Sequence, residues 1–141
     1  MRRAVVDTSV VVAGLRSRSG AGNAILRLVA NRQLVPLASP PLFLEYEEVL
    51  KRAEQRLAHG LSEEQVDEFL AELAALIEPV ELHFQWRPQV RDPGDELVLE
   101  AAINGEADAL ITYNVSDFAE AAERFAIAVL RPGEALKKVK R

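Results

Sequence analysis

Between Arg91 and Phe118 the chain runs from turn to helix to strand to turn, with acids near each bend. Asp92-Pro93-Gly94-Asp95 is a Pro-Gly turn closed by an acid. Leu97, Val98, Ala101 and Ala102 follow at helical spacing, and Gly105 stops the pattern. Ala109-Leu110-Ile111-Thr112 is a short apolar strand. Tyr113-Asn114-Val115-Ser116-Asp117-Phe118 then forms a polar loop that starts another short helix through Ala122. Alternation of this kind leaves few topologies, because strands separated by helices pair in parallel through right-handed crossovers. If residues 109–112 belong to such a sheet, Asp95 and Asp117 can meet at one rim.

The rest of the chain keeps the alternation. Ala4-Val5-Val6 fits a buried strand and ends at Asp7-Thr8-Ser9, whose side chains can all cap or turn the backbone. Val10 to Leu15 continues apolar, and Ser17, Ser19, Gly20 and Gly22 mark a loop. Ile25, Leu28 and Val29 share a helix face that ends near Asn31. Leu34-Val35-Pro36-Leu37-Ala38 reads as a second strand, with Pro36 pointing to an edge position. Ser39-Pro40 is an N-cap with proline at the first helical position. Leu42, Tyr46, Val49, Leu50, Ala53 and Leu57 then form one stripe running toward Gly60. Glu45 borders that stripe, while Glu47 and Glu48 turn outward.

Ser62 and Gln65 have capping-box spacing for a helix whose face is Val66, Phe69, Leu70, Leu73, Leu76 and Ile77. Glu78-Pro79 stops it. Residues 80–84 read as extended, 85–91 as a loop, and 126–130 as a last strand before a short helix at Pro132-Gly133-Glu134. The expectation is an α/β fold with a central, mainly parallel sheet. With no internal repeat or linker, residues 1–141 read as one domain.

Composition narrows the chemistry. The length and apolar content suffice for a core. There is no cysteine, which excludes disulfides and thiolate metal sites, and His59 and His83 are too few for a histidine-rich zinc site. They read as surface or structural residues. Any metal would be held mainly by oxygen, which favours Mg²⁺ or Mn²⁺. Met1-Arg2-Arg3 superficially suggests a secretory leader, but Asp7 interrupts the apolar run. No stretch approaches bilayer length, so a soluble protein of the cytoplasm with no membrane association is expected.

A net charge of −5 argues against broad electrostatic binding of nucleic acid. Four acids committed to a cation would leave the remainder near about −1. The basic residues also crowd the two ends, at Arg2, Arg3, Arg16 and Arg18 and at Lys137, Lys138, Lys140 and Arg141. A basic tail of that kind can help to hold a nucleic-acid backbone.

In parallel sheets ligands gather outside the carboxyl ends of the strands. Asp7 directly follows the first strand, and Asn114 and Asp117 follow another. Carboxylates brought together repel, and a divalent cation removes the conflict. Such an ion keeps waters, one of which can be activated as a nucleophile, and a second ion can stabilise a leaving oxygen. Phosphodiester hydrolysis fits this chemistry. Plainer roles remain open: Asp7, Asp95 and Asp117 can each cap a helix, Glu45 can be a solvated helix residue, and Thr8 and Ser9 can be turn formers. No Gly-x-Gly-x-x-Gly follows a strand, which excludes dinucleotide binding. Asp7-Thr8-Ser9-Val10-Val11 also lacks the second Asp that a dehalogenase-type phosphotransferase would want.

Four stretches together resemble the PIN-domain family. They are Val5-Val6-Asp7-Thr8-Ser9-Val10, Leu44-Glu45-Tyr46-Glu47-Glu48-Val49-Leu50-Lys51-Arg52, Asp92-Pro93-Gly94-Asp95 and Ile111-Thr112-Tyr113-Asn114-Val115-Ser116-Asp117-Phe118. The likeness is strongest to the VapC-like ribonucleases, the toxin components of toxin–antitoxin systems. It implies a Rossmann-like three-layer α/β/α sandwich and Mg²⁺- or Mn²⁺-dependent cleavage of single-stranded RNA. It also implies a cognate antitoxin protein and a homodimer. By the same resemblance Asp7, Glu45, Asp95 and Asp117 are the first to fourth metal-binding and catalytic acids, and Ser9 supports the metal site. Asn114 stands where many members carry an acid in a threonine-glycine-aspartate pattern. Others have asparagine followed three residues later by Asp-Phe, as here. Asp92 either substitutes for Asp95 as a ligand or shapes the Pro-Gly turn. A non-catalytic PIN-like module that binds RNA or protein is the alternative.

Overall fold

Five strands form a single all-parallel sheet in the order β3-β2-β1-β4-β5. They are β1 (Arg3–Val6), β2 (Val35–Ala38), β3 (Glu78–Pro79), β4 (Ala109–Ile111) and β5 (Val129–Leu130). The structure, a computed structural model, describes residues 1–85 and 87–139. Trp86 of the 85–91 loop, and Lys140 and Arg141 of the basic tail, lie outside the described residues. The helices are α1 (Thr8–Arg16), α2 (Ala21–Ala30), α3 (Pro40–Leu50), α4 (Ala53–His59), α5 (Glu63–Leu76), α6 (Pro93–Asn104), α7 (Val115–Phe125) and α8 (Pro132–Val139). No helix among the described residues is long and apolar enough to cross a membrane.

Strand order fixes where a site can form. The chain steps from β1 outward to β2 and β3, then returns across β1 to β4 and β5. Right-handed crossovers in opposite directions cover opposite faces, giving the expected three-layer α/β/α arrangement. Helix α6 packs on β1, β2 and β4, whereas α1 packs on α2 and α8 closes over α2. After Arg3, every residue of β1 and β4 is buried, as strands covered on both sides require. The reversal of direction lies between β1 and β4. The crevice at their carboxyl ends is therefore the topological switch point, where open α/β sheets bind ligands.

Local signals explain most elements. Ser39 Oγ accepts from Leu42 N at 3.3 Å with Pro40 at the first helical position of α3, and Ser62 and Gln65 form a full capping box on α5. Gly60 ends α4 in the left-handed region (φ 70°).

Four expectations are corrected. Pro36 is not on an edge strand, because β2 lies between β3 and β1. Val35 N donates to Arg2 O on the β1 side, so Pro36 faces the other way. There β3 begins only opposite Leu37, so no residue of β3 is paired with Pro36. The stripe from Leu42 does not run on to Leu57. The helix breaks at Lys51 and Arg52, the latter extended (ψ 143°), and Leu57 on α4 is 88% exposed. The third strand is Glu78–Pro79 itself rather than residues 80–84. Gly22 is not in a loop but inside α2, against Val10 O and Gly14 N of α1, where an added Cβ would sit 3.0 and 3.1 Å from them. The close approach of these two helices requires glycine there.

Candidate active site

Asp7 stands at the N-cap position of α1, yet its side chain makes no capping bond. Its amide donates to Ile111 O at 2.9 Å and lengthens the β1–β4 ladder by one step. Its carboxylate is 4% exposed, and Oδ2 accepts from Ser9 Oγ (2.7 Å) and Thr112 Oγ1 (2.6 Å). Each hydroxyl also accepts a backbone amide: Tyr113 N donates to Ser9 Oγ at 3.4 Å, and Asn114 N to Thr112 Oγ1 at 2.9 Å. Those amides aim both hydroxyl protons at Asp7. One carboxylate oxygen, Oδ2, is thereby pinned. Thr8 opens α1 beside this arrangement, and no hydrogen bond of its side chain is seen among the described residues.

Helix α3 brings the second acid. Tyr46, fully buried, donates its hydroxyl to Val6 O, the last carbonyl of β1. Burial, and then the charge of Asp7, push that hydroxyl above its ordinary range. Glu45, next along the helix, reaches the start of α6. A Cβ placed on Gly94 would lie 3.1 Å from Glu45 Oε1 and 3.1 Å from Asp92 Oδ1. Burial raises the pKa of Glu45, and Glu48, Asp92 and Asp7 raise it further against the opposing charge of Arg52.

Helix α6 opens at Pro93. Asp92 is its N-cap, with Oδ1 accepting from Gly94 N at 2.7 Å. That assigns Asp92 the turn-shaping task and places Asp95 in the first turn. The Asp95 carboxyl is pushed up to about 7, first by burial and then by Asp7, Asp92, Asp117 and Glu45. Asn114 occupies the N-cap position of α7, also without a side-chain cap, and Asp117 lies in its first turn. Phe118, fully buried, anchors that turn.

The fold therefore gathers Asp7, Glu45, Asp92, Asp95 and Asp117 into one electrostatic neighbourhood with Asp95 at its hub. It does not draw them to contact. Among the described residues no three Asp, Glu or His side chains are arranged to hold an ion as they stand. A cavity of about 540 Å³ opens beside Asp92, Asp95 and Asp117, while Asp7 and Glu45 lie outside its wall.

Several contributors escaped the sequence patterns. Thr112 read as a strand end and is instead a buried partner of Asp7. Tyr46 read as a core residue and also ties α3 to β1. Glu96 and Glu100 of α6 are 5% and 3% exposed and hold the loop before Asp92. Glu96 Oε1 accepts from Gln89 N (2.5 Å) and Val90 N (3.0 Å), and Glu100 takes Arg87 in two bonds of 2.8 and 2.6 Å.

Among curated proteins, none matches the chain. A family model described as PIN domain matches residues 3–116, which take in Asp7, Glu45, Asp95 and Asn114 and stop one residue short of Asp117. PIN domains are generally nucleases and typically use divalent metals. With the sheet order, the acids at the switch point and a match over most of its length, this chain belongs to the PIN-domain family.

Proposed function

We propose that the protein is a Mg²⁺- or Mn²⁺-dependent endoribonuclease that hydrolyses phosphodiester bonds of single-stranded RNA. In this reading it is the toxin of a toxin–antitoxin pair, a cytoplasmic homodimer held in check by a cognate antitoxin protein. The observation that carries the nuclease part is geometric: Asp7, held by Ser9 and Thr112 at the end of β1, stands at the switch point, with Asp95 and Asp117 lining the cavity there. The Asp95 carboxyl, raised by burial and by four other acids, adds to that reading, because perturbed carboxyls cluster at functional sites. The RNA and antitoxin parts rest on the four motifs quoted above.

Asp7, Glu45, Asp95 and Asp117 would hold the ion, with Asp92 and Asn114 at its margin. The donor set fits, being all oxygen, with one Asp7 oxygen pinned and a mutual repulsion that a cation relieves. When bound, a divalent ion supplies positive charge to a phosphoryl oxygen and acidity to water. Ser9 and Thr112 keep Asp7 in one orientation. Burial and the neighbouring acids raise the Asp95 carboxyl to about 7, and a bound cation would favour its ionised form.

Purified protein incubated with single-stranded RNA should cut it with Mn²⁺ and leave it whole with a chelator. Asp7→Asn should fold and fail to cut. Intact RNA with the unaltered protein, or undiminished cutting by Asp7→Asn, refutes the proposal. Asn114, in place of an acid common in the family, favours the second reading of a non-catalytic module that binds RNA or protein. Its signature is RNA retained in a gel shift, with Mn²⁺ present, and never cleaved.

A further inference from the structure

The cavity beside the acids has a wall that the nuclease reading does not use. Pro88, Gln89, Val90 and Arg91 form a strap along one side, and Ser116 and Glu120 of α7 stand across from it. Exposed loops of this kind ordinarily rest on water, but this one is pinned from beneath by two buried carboxylates one turn apart on α6. Glu96 takes two successive strap amides and Glu100 takes Arg87. Arg124 of α7 also reaches Gln89, closing the strap against the opposite wall. Placing two glutamates out of water on one helix face is costly unless each is fully bonded, and among the described residues Glu96 Oε2 has no partner. A loop held at that cost has a shape to keep.

We propose that this cavity is the subsite for one base of the RNA next to the cut phosphate, and that Glu96 is the positioning residue that sets its shape. The proposal rests on the nuclease reading of the neighbouring acids. Its volume, about 540 Å³, falls within the range of small-molecule pockets. Among the described residues Arg91 is the one cation lining the cavity, so the wall away from the ion-holding acids has little to clamp a second phosphate and is open to a neutral ring. Pro88, Val90 and Ala121 offer apolar surface to such a ring. The carboxylate of Glu120 accepts hydrogen bonds and donates none, so it selects bases that present N–H groups. Guanine presents two adjacent ones on a single edge and uracil only one, which makes guanine the preferred occupant.

The test begins without cleavage or metal. With a chelator present, guanosine should bind the full chain about tenfold more tightly than uridine, the discrimination expected of one bidentate contact. Glu120→Gln should remove that ratio. In cleavage assays, Glu96→Ala should raise KM for guanine-containing RNA about tenfold, the scale of a lost positioning partner, and flatten the base preference while kcat holds. Glu96→Gln, which still accepts both amides, should restore the preference. Equal binding of guanosine and uridine, or a base preference untouched by Glu96→Ala, overturns the subsite even if the protein cuts RNA. Guanosine selectivity without RNA cleavage supports the subsite and refutes the nuclease reading instead.

Discussion

The two ends of the sheet treat the same side chains in opposite ways. At the amino ends, Glu78 meets Arg3 at 2.5 Å and Asp108 Oδ2 accepts from Arg2 N and Arg3 N. The Arg3 side chain holds the Glu78 carboxyl below its ordinary range, and the two backbone amides do the same for Asp108. At the carboxyl ends, Asp95 and Glu45 are pushed up by burial and by other acids, and only Arg52 opposes the shift of Glu45. One end is electrostatically complete within the chain. The other leaves its acids raised by burial and by one another, and the proposed ion would supply the missing positive charge.

The sharpest way to break this contrast is at Asp7. Asp7→Asn removes a charge, and with it the proposed ligand, while keeping the shape, and cleavage should fall by more than about 100-fold, beyond the loss from a supporting residue. Retained cleavage would mean that the carboxyl end is no more functional than the amino end. Next comes Thr112→Val, which deletes one of the two bonds that orient Asp7. Activity or Mn²⁺ affinity should drop about 10- to 100-fold, and the orphaned Asn114 amide should cost about 1–3 kcal/mol of stability. Metal titration and thermal melting of the same variant separate the two effects.

The pH dependence sharpens the comparison further. Asp95 titrates higher in the folded chain than in the unfolded one, so its contribution to stability is complete below 3.8 and is lost as the pH rises through about 7. Glu45 acts in the same direction. Glu78 and Asp108 run the other way, contributing above their unfolded values and losing that contribution as acid protonates them. Metal-free protein should therefore melt lower at about pH 8 than at about pH 5, and Mg²⁺ or Mn²⁺ should recover the difference at the higher pH. A melting temperature indifferent to the ions, or an Asp95→Asn variant with the unaltered pH slope, contradicts this account. The smallest effect belongs to the amino end. Arg3→Ala breaks a partly exposed pair, so it should cost about 1 kcal/mol in denaturant unfolding and leave kcat alone.

What the sequence disclosed followed the range of each signal. Asp7 was legible because it ends an apolar run, and in a parallel sheet the end of a strand is also the edge of a crevice. Glu45 was legible only as the neighbour of a stripe, and its reach to Gly94 depends on α3 meeting α6, which no local pattern encodes. Leu57 was misread because helical spacing reports which residues share a face, not whether anything covers that face. Pro36 was misread because the rule against proline in inner strands assumes a full-length neighbour, and β3 is shorter than that. Glu96 and Glu100 carried no signal, since on a helix a glutamate looks solvated until a distant loop folds over it. Thr112 ends β4 in the sequence, and only the β1–β4 register brings its hydroxyl to Asp7.

Neighbouring positions on a helix point about 100° apart, and α3 uses that angle as a gauge. Tyr46 is fastened to the final carbonyl of β1 while Glu45 swings toward the hydrogen of Gly94. The span from first acid to second is thus measured by the girth of one rigid rod and owes nothing to loop length.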